Sequence, residues 1–161
     1  MLSPHIVLLT TLYFLSVISS SQCNENLTTP NNTKASISKI SYSTTGGRSG
    51  NYESVNISAD SLIYIQARRG NEKTINEKTE KDFWNSLTRA INLEDFDKIK
   101  SNPGHALYDG IDITISIETM EKKHFIVNGN EDTVNYKRIE PFTDMLAKKL
   151  EELGKKIIWN Q

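Results

Sequence analysis

The chain has 161 residues, 37% of them hydrophobic and 24% charged, a balance that suits one ordinary globular domain and leaves no length for a second. Its 19 basic and 20 acidic residues leave a net charge of −1, which excludes the basic excess of a nucleic-acid surface and the acidic excess of a disordered tail. A single cysteine and three histidines exclude an intramolecular disulfide and argue against a closed zinc site, so neither metal nor cofactor is expected.

Residues 1–22 are predicted to be an export signal. The apolar run 6–18 has the length of a signal core and is short for a membrane span, although no Lys or Arg precedes it. The only cysteine, Cys23, follows directly. Two cleavages compete: a lipoprotein cut that makes Cys23 a lipidated first residue, and an ordinary cut after Ser21. Ser20 and Gln22 fit a lipobox poorly, yet we favour the lipoprotein, since a lone cysteine would otherwise be an exposed, oxidisable thiol. Residues 23–35 are polar and read as a flexible tether. The sequons at Asn26, Asn31 and Asn56 carry little weight in an Asn-rich chain.

The domain is expected over residues 36–159. Ile40, Tyr42 and Thr44 alternate with Ser41 and Ser43 in a first strand. Gly46, Gly47, Arg48, Ser49 and Gly50 then form a glycine-rich stretch, read as a bulged hairpin loop. A phosphate cradle would need a helix to follow it, and here a strand follows. That strand carries Val55 and Ile57 on one face. The run 62–68 is apolar on both faces, through Leu62 and Tyr64 and through Ile63 and Ile65, and reads as a twice-covered strand. These three strands make an antiparallel meander. Residues 69–78, with Gly70-Asn71 as a turn, read as a solvated loop.

Thr79 with Asp82 three residues on predicts a capping box. Phe83, Trp84, Leu87, Ala90 and Ile91 then fall on one helical face. Leu93, Phe96 and Ile99 continue as a helical turn. A second irregular stretch, 101–110, contains His105, Tyr108 and Asp109 between Pro-Gly and Asp-Gly steps. Next comes the cleanest strand, with Ile111, Ile113, Ile115 and Ile117 on one side. Burying each is worth roughly 1.5–3 kcal/mol, so that side needs a cover. A return strand over 124–128 is read with Phe125 and Val127 in phase. A last helix starts at Pro141, with Phe142, Met145, Leu146, Leu150 and Leu153 as its stripe. Asp144 with Lys148, Glu151 with Lys155 and Glu152 with Lys156 are expected to pair on its wet side. Gly154 ends it, and the segment 157–159 tucks against the domain edge.

The expected fold is therefore α+β: a single, mostly antiparallel sheet in the order β-β-β-α-β-β-α, with two helices on one face. No catalytic residue is assigned. His105 with Asp109 or Asp112 could be drawn as an acid–base pair, but no third group orients the ring and no nucleophile stands beside it. The two irregular stretches, with Gly46, Gly47, Arg48, Ser49, Gly50, His105, Tyr108 and Asp109, are the candidate contact residues for another protein.

Taken together, Ile40-x-Tyr42, Gly46-Gly47-x-x-Gly50, Val55-x-Ile57, the helix through Phe83 and Leu87, Phe96, Asp109-Gly110, and Pro141-Phe142 with Leu146 and Leu150 resemble emfourin-type inhibitors of thermolysin-like metalloproteases. Bacterial lipoproteins of the same layout are similar too. The likeness spans residues 37–153, and the polar segment 69–78 and the tether depart from it. It implies an exported, non-enzymatic binding domain, lipid-anchored in the cell envelope or secreted, whose partner is a protein, in its most specific version a protease, and which meets membrane only through its N-terminus. The alternatives are a small envelope hydrolase using His105 and a passive structural lipoprotein.

Overall fold

The structure, a computed structural model, describes residues 36–48 and 50–159. The predicted export signal, Cys23, the tether and Ser49 lie outside the described residues. One antiparallel sheet of six strands organises the rest: β1 (Ile37–Gly46), β2 (Asn51–Ile57), β3 (Leu62–Arg68), β4 (Asn71–Glu77), β5 (Ile111–Thr119) and β6 (Lys123–Val127), in spatial order β4-β3-β2-β1-β5-β6. Between β4 and β5 run helix α1 (Lys81–Arg89) and the short α2 (Leu93–Phe96). Helix α3 (Glu140–Gly154) closes the domain. The five strands expected from the sequence all share this sheet.

The unexpected element is β4. The segment 69–78 is not a solvated loop. Arg69 and Gly70 stand at φ 50° and 78° as a two-residue turn, and Asn71–Glu77 pairs back along the whole of β3. Positive φ at both central residues gives the turn a twist that matches a hairpin. The strand was invisible because Ile75 is its only apolar residue. At a sheet edge, ladder bonds on one side and one inward apolar residue are enough.

One face of the sheet builds the core. Ile40 sits between Ile57 and Ile117, and Tyr42 between Val55 and Ile115. Tyr64 pairs with Val55, and Ile126 pairs with Ile115. Leu87 and Ile91 near α1, Phe96 of α2, and Phe142, Leu146, Leu150 and Leu153 of α3 pack into the same cluster. Phe83, Trp84 and Met145 are half-buried at its rim. The opposite face carries Ser41, Ser43, Ser54, Thr114 and Ser116. Ile63 there is exposed, so β3 is not apolar and covered on both sides as its sequence suggests.

Three local expectations are corrected. The hairpin of β1 and β2 keeps an unbroken register to Gly46 opposite Asn51, so its loop holds no bulge; the one irregularity of β1 lies at Ile37 and Lys39. Helix α1 begins at Lys81 after Glu80, with no side-chain cap, so Thr79 and Asp82 form no capping box. In β6 the phase is reversed: His124 and Ile126 are buried and Phe125 is exposed, because the register sets Ile126 against Ile115.

At the C-terminus, Glu151 pairs with Lys155 at 2.6 Å as expected, whereas Lys156 reaches Glu77 of β4 and Glu152 takes Lys149. Beyond α3 the chain folds back over β3 and β4. The Trp159 indole N–H donates to Gln66, and its ring lies under Arg68 and Lys73. Among the described residues no helix is long and apolar enough to cross a membrane.

Candidate functional site

The two irregular stretches, far apart in sequence, meet at one end of the sheet. Gly46 closes β1 at φ 122°, and a side chain there would drive its Cβ to 2.3 Å from the Gly110 carbonyl oxygen. Glycine is thus required twice over, by its dihedral and by the close approach. The Gly47 N–H donates to that same carbonyl at 2.7 Å. Register continues the join, with Gly46 opposite Ile111.

The 101–110 stretch is braced from within. Gly104 at φ 108° opens a single 3-10 turn, His105–Tyr108, and Asp109 at φ 61° closes it. The carboxylate of Asp112 receives the backbone N–H groups of Gly104, His105 and Ala106 at 3.3, 3.0 and 3.4 Å, and the Asn128 amide at 2.6 Å. The Asn128 bond, helped by those N–H groups against the effect of burial, holds the Asp112 carboxyl below its usual range. Asp112 is therefore not a free outward strand residue but the anchor of this loop.

Asn128 ties the region together. It is buried, stands at φ 50°, and extends the ladder where β6 stops. Its N–H donates to Ile113 O at 2.8 Å, and its side-chain oxygen accepts from Ile113 N at 2.7 Å. Its amide reaches Asn102 O at 2.8 Å as well as Asp112. Asn102 N–H donates to Val127 O, and Ser101 Oγ accepts from Val127 N, which fastens the start of the loop to the outer side of β6.

This bracing presents apolar groups to solvent. Leu107 is 81% exposed, Tyr108 86% and Ile111 55%, all within the joined end of the sheet. Arg48 projects from the neighbouring loop and is exposed. The predicted contact residues Gly46, Gly47, Gly50, His105, Tyr108 and Asp109 are brought into one region, and Ser49 lies outside the described residues. Leu107 and Ile111 were missed as contact residues. The signal for Leu107 was a leucine in a turn-forming stretch with no apolar partner in phase.

The histidine makes no acid–base site with its proposed aspartates. His105 Nε2 faces Glu131 Oε1 at 3.1 Å, with both side chains 39% exposed, and meets Asp112 only through its backbone N–H. Asp109 is exposed on the turn. Among the described residues no hydroxyl or thiol bonds to the His105 ring, and no group of three His, Cys, Asp or Glu is placed to hold a metal ion. A second histidine, His124, is buried and holds Asp97 at 2.6 Å, with Lys122 on the other carboxylate oxygen at 2.8 Å. Burial acts to raise the Asp97 carboxyl, but these two partners outweigh it and keep it below its usual range. That trio fastens β6 to the end of α2. No protein-family model matches the chain, and no similar protein was found among curated sequences.

Proposed function

We propose that the chain is a non-enzymatic, exported binding domain that grips a partner protein with the joined loop end of its sheet. The observation that carries the reading is the exposure of Leu107, Tyr108 and Ile111 on a backbone fixed by Asp112 and Asn128. Exposed aromatic and aliphatic side chains with little freedom left to lose are what a protein interface uses as anchors. The resemblance to emfourin-type inhibitors supports a thermolysin-like metalloprotease as the partner. Export, with Cys23 as a lipid anchor or with free secretion, belongs to the same proposal.

The test is a titration of a thermolysin-like metalloprotease with the purified chain. Stoichiometric inhibition is expected. Replacing Leu107 and Tyr108 together by serine should weaken it by at least about tenfold with the circular dichroism spectrum unchanged. Full protease activity at saturating chain would end the inhibitor reading. A hydrolytic rate in the chain itself, lost in His105→Ala, would move the protein to the envelope-hydrolase class.

A further inference from the structure

We propose that the outer edge of β4 is a self-association site, at which two copies of this chain pair antiparallel about Ile75 and extend the sheet across both. The Arg69-Gly70 turn makes Arg68 and Asn71 the hydrogen-bonded pair that closes the hairpin. Alternation then turns the N–H and C=O groups of Glu72, Thr74 and Asn76 away from β3. The same phase continues past the strand, where Thr79 N–H donates to Asp60 O. Among the described residues no backbone group of Glu72, Thr74 or Asn76 finds a partner. The outer side of β6 is closed at one end, where Val127 is bonded by Ser101 and Asn102, and it stays open at Phe125; β4 keeps its outer row open from Glu72 to Asn76.

Charge chooses the occupant. Read about Ile75, the segment 72–78 is complementary to its own reverse: Glu72 meets Lys78 of the second copy, Lys73 meets Glu77, Thr74 meets Asn76, and Ile75 meets Ile75. Side chains directly opposite across antiparallel strands share a face, so a two-fold pairing must centre on a residue. Centring on Thr74 leaves Lys73 opposite Ile75 and Glu72 opposite Asn76. Centring on Asn76 sets Glu72 against Glu80. Of these registers only the one centred on Ile75 sets opposite charges together, with Glu72 and Lys78 as the pair that has no partner within its own chain; Lys73 and Glu77 already meet Ile158 O and Lys156. Charged residues on an edge ordinarily discourage strand addition. Here the same charges reject most strands and accept their own copy. Such an interface is isologous, and it also covers the half-buried Ile75.

Glu72 and Lys78 are the informative positions, since both are exposed and neither has an ion-pair partner among the described residues. Sedimentation equilibrium at low salt through the micromolar to millimolar range should show a concentration-dependent dimer. Glu72→Lys alone sets Lys against Lys, Lys78→Glu alone sets Glu against Glu, and each should raise the dimer dissociation constant about tenfold. An equimolar mixture of these two variants restores both pairs and should dimerise like wild type. Thr74→Pro removes an outward N–H without touching the β3 ladder and should also give monomer. A wild-type chain that stays monomeric at millimolar concentration overturns the proposal. So does a dimer that these variants leave unchanged, or a mixture no tighter than its components.

Discussion

Asn128 does the work of a whole extra strand pair. Its side chain accepts from Ile113 and donates to Asn102 and Asp112, and its left-handed backbone suits few other residues. Asn128→Ala should therefore lower stability by on the order of 3 kcal/mol, the sum of three bonds and the strained dihedral, as read by urea unfolding. Asn128→Gly, which tolerates the dihedral, should recover only a minor part. Asp132 gives a second residue-scale expectation. The Asn135 amide first, then the N–H groups of Lys100 and Asn135, hold its carboxyl at about 2, against 3.8 for a free aspartate. A depressed carboxyl binds its proton less readily in the folded chain than in the unfolded one. Its contribution is complete above the unfolded value and fades as pH falls toward the folded one. Asp132→Asn should be the less stable protein near neutrality, and the gap in unfolding midpoint should close through that acid window. Neither role was legible in the sequence. Asn128 precedes Gly129 and looks like any turn asparagine, and its partners come from segments well removed along the chain.

At the scale of elements, legibility followed how strongly each pattern was written. The isoleucine alternation of β5 and the stripe of α3 named their faces without help, and Ile115, Ile117, Phe142, Leu146 and Leu150 are buried as read. In β6 the two phases compete, Phe125 and Val127 against Ile126 alone. The apolar count favoured the wrong one, because pairing with β5 and the need to bury Asn128 decide the phase. The correction has a direct consequence. Ile126→Ala should cost about 2–5 kcal/mol in chemical denaturation. Phe125→Thr, at a position 63% exposed, should stay within about 0.5 kcal/mol. Equal losses would restore the first phase. Strand β4 failed for the opposite reason: its residues are polar on both faces, and what makes it a strand is the Arg69-Gly70 turn. The glycines of the first loop were legible as unusual backbone, but the contact of Gly46 and Gly47 with Gly110 was not, since nothing local encodes a partner in another loop.

For the whole molecule, the sheet reads as a local meander of four strands completed by a later hairpin on its far side. The α+β class and the sharing of one sheet were legible because every strong pattern demanded the same cover. The spatial order was not, because alternation states a face and never a neighbour. That order sets a sequence of events. β1 lies third from the β6 edge of the sheet, flanked by β2, a hairpin away, and by β5, which enters only after α1 and α2. Nonlocal pairing of this kind is slow to form. The seam from Ile40 opposite Ile117 to Gly46 opposite Ile111 joins the first strand to one far along the chain, and until Thr119 has been made the earliest strand waits with a bare flank.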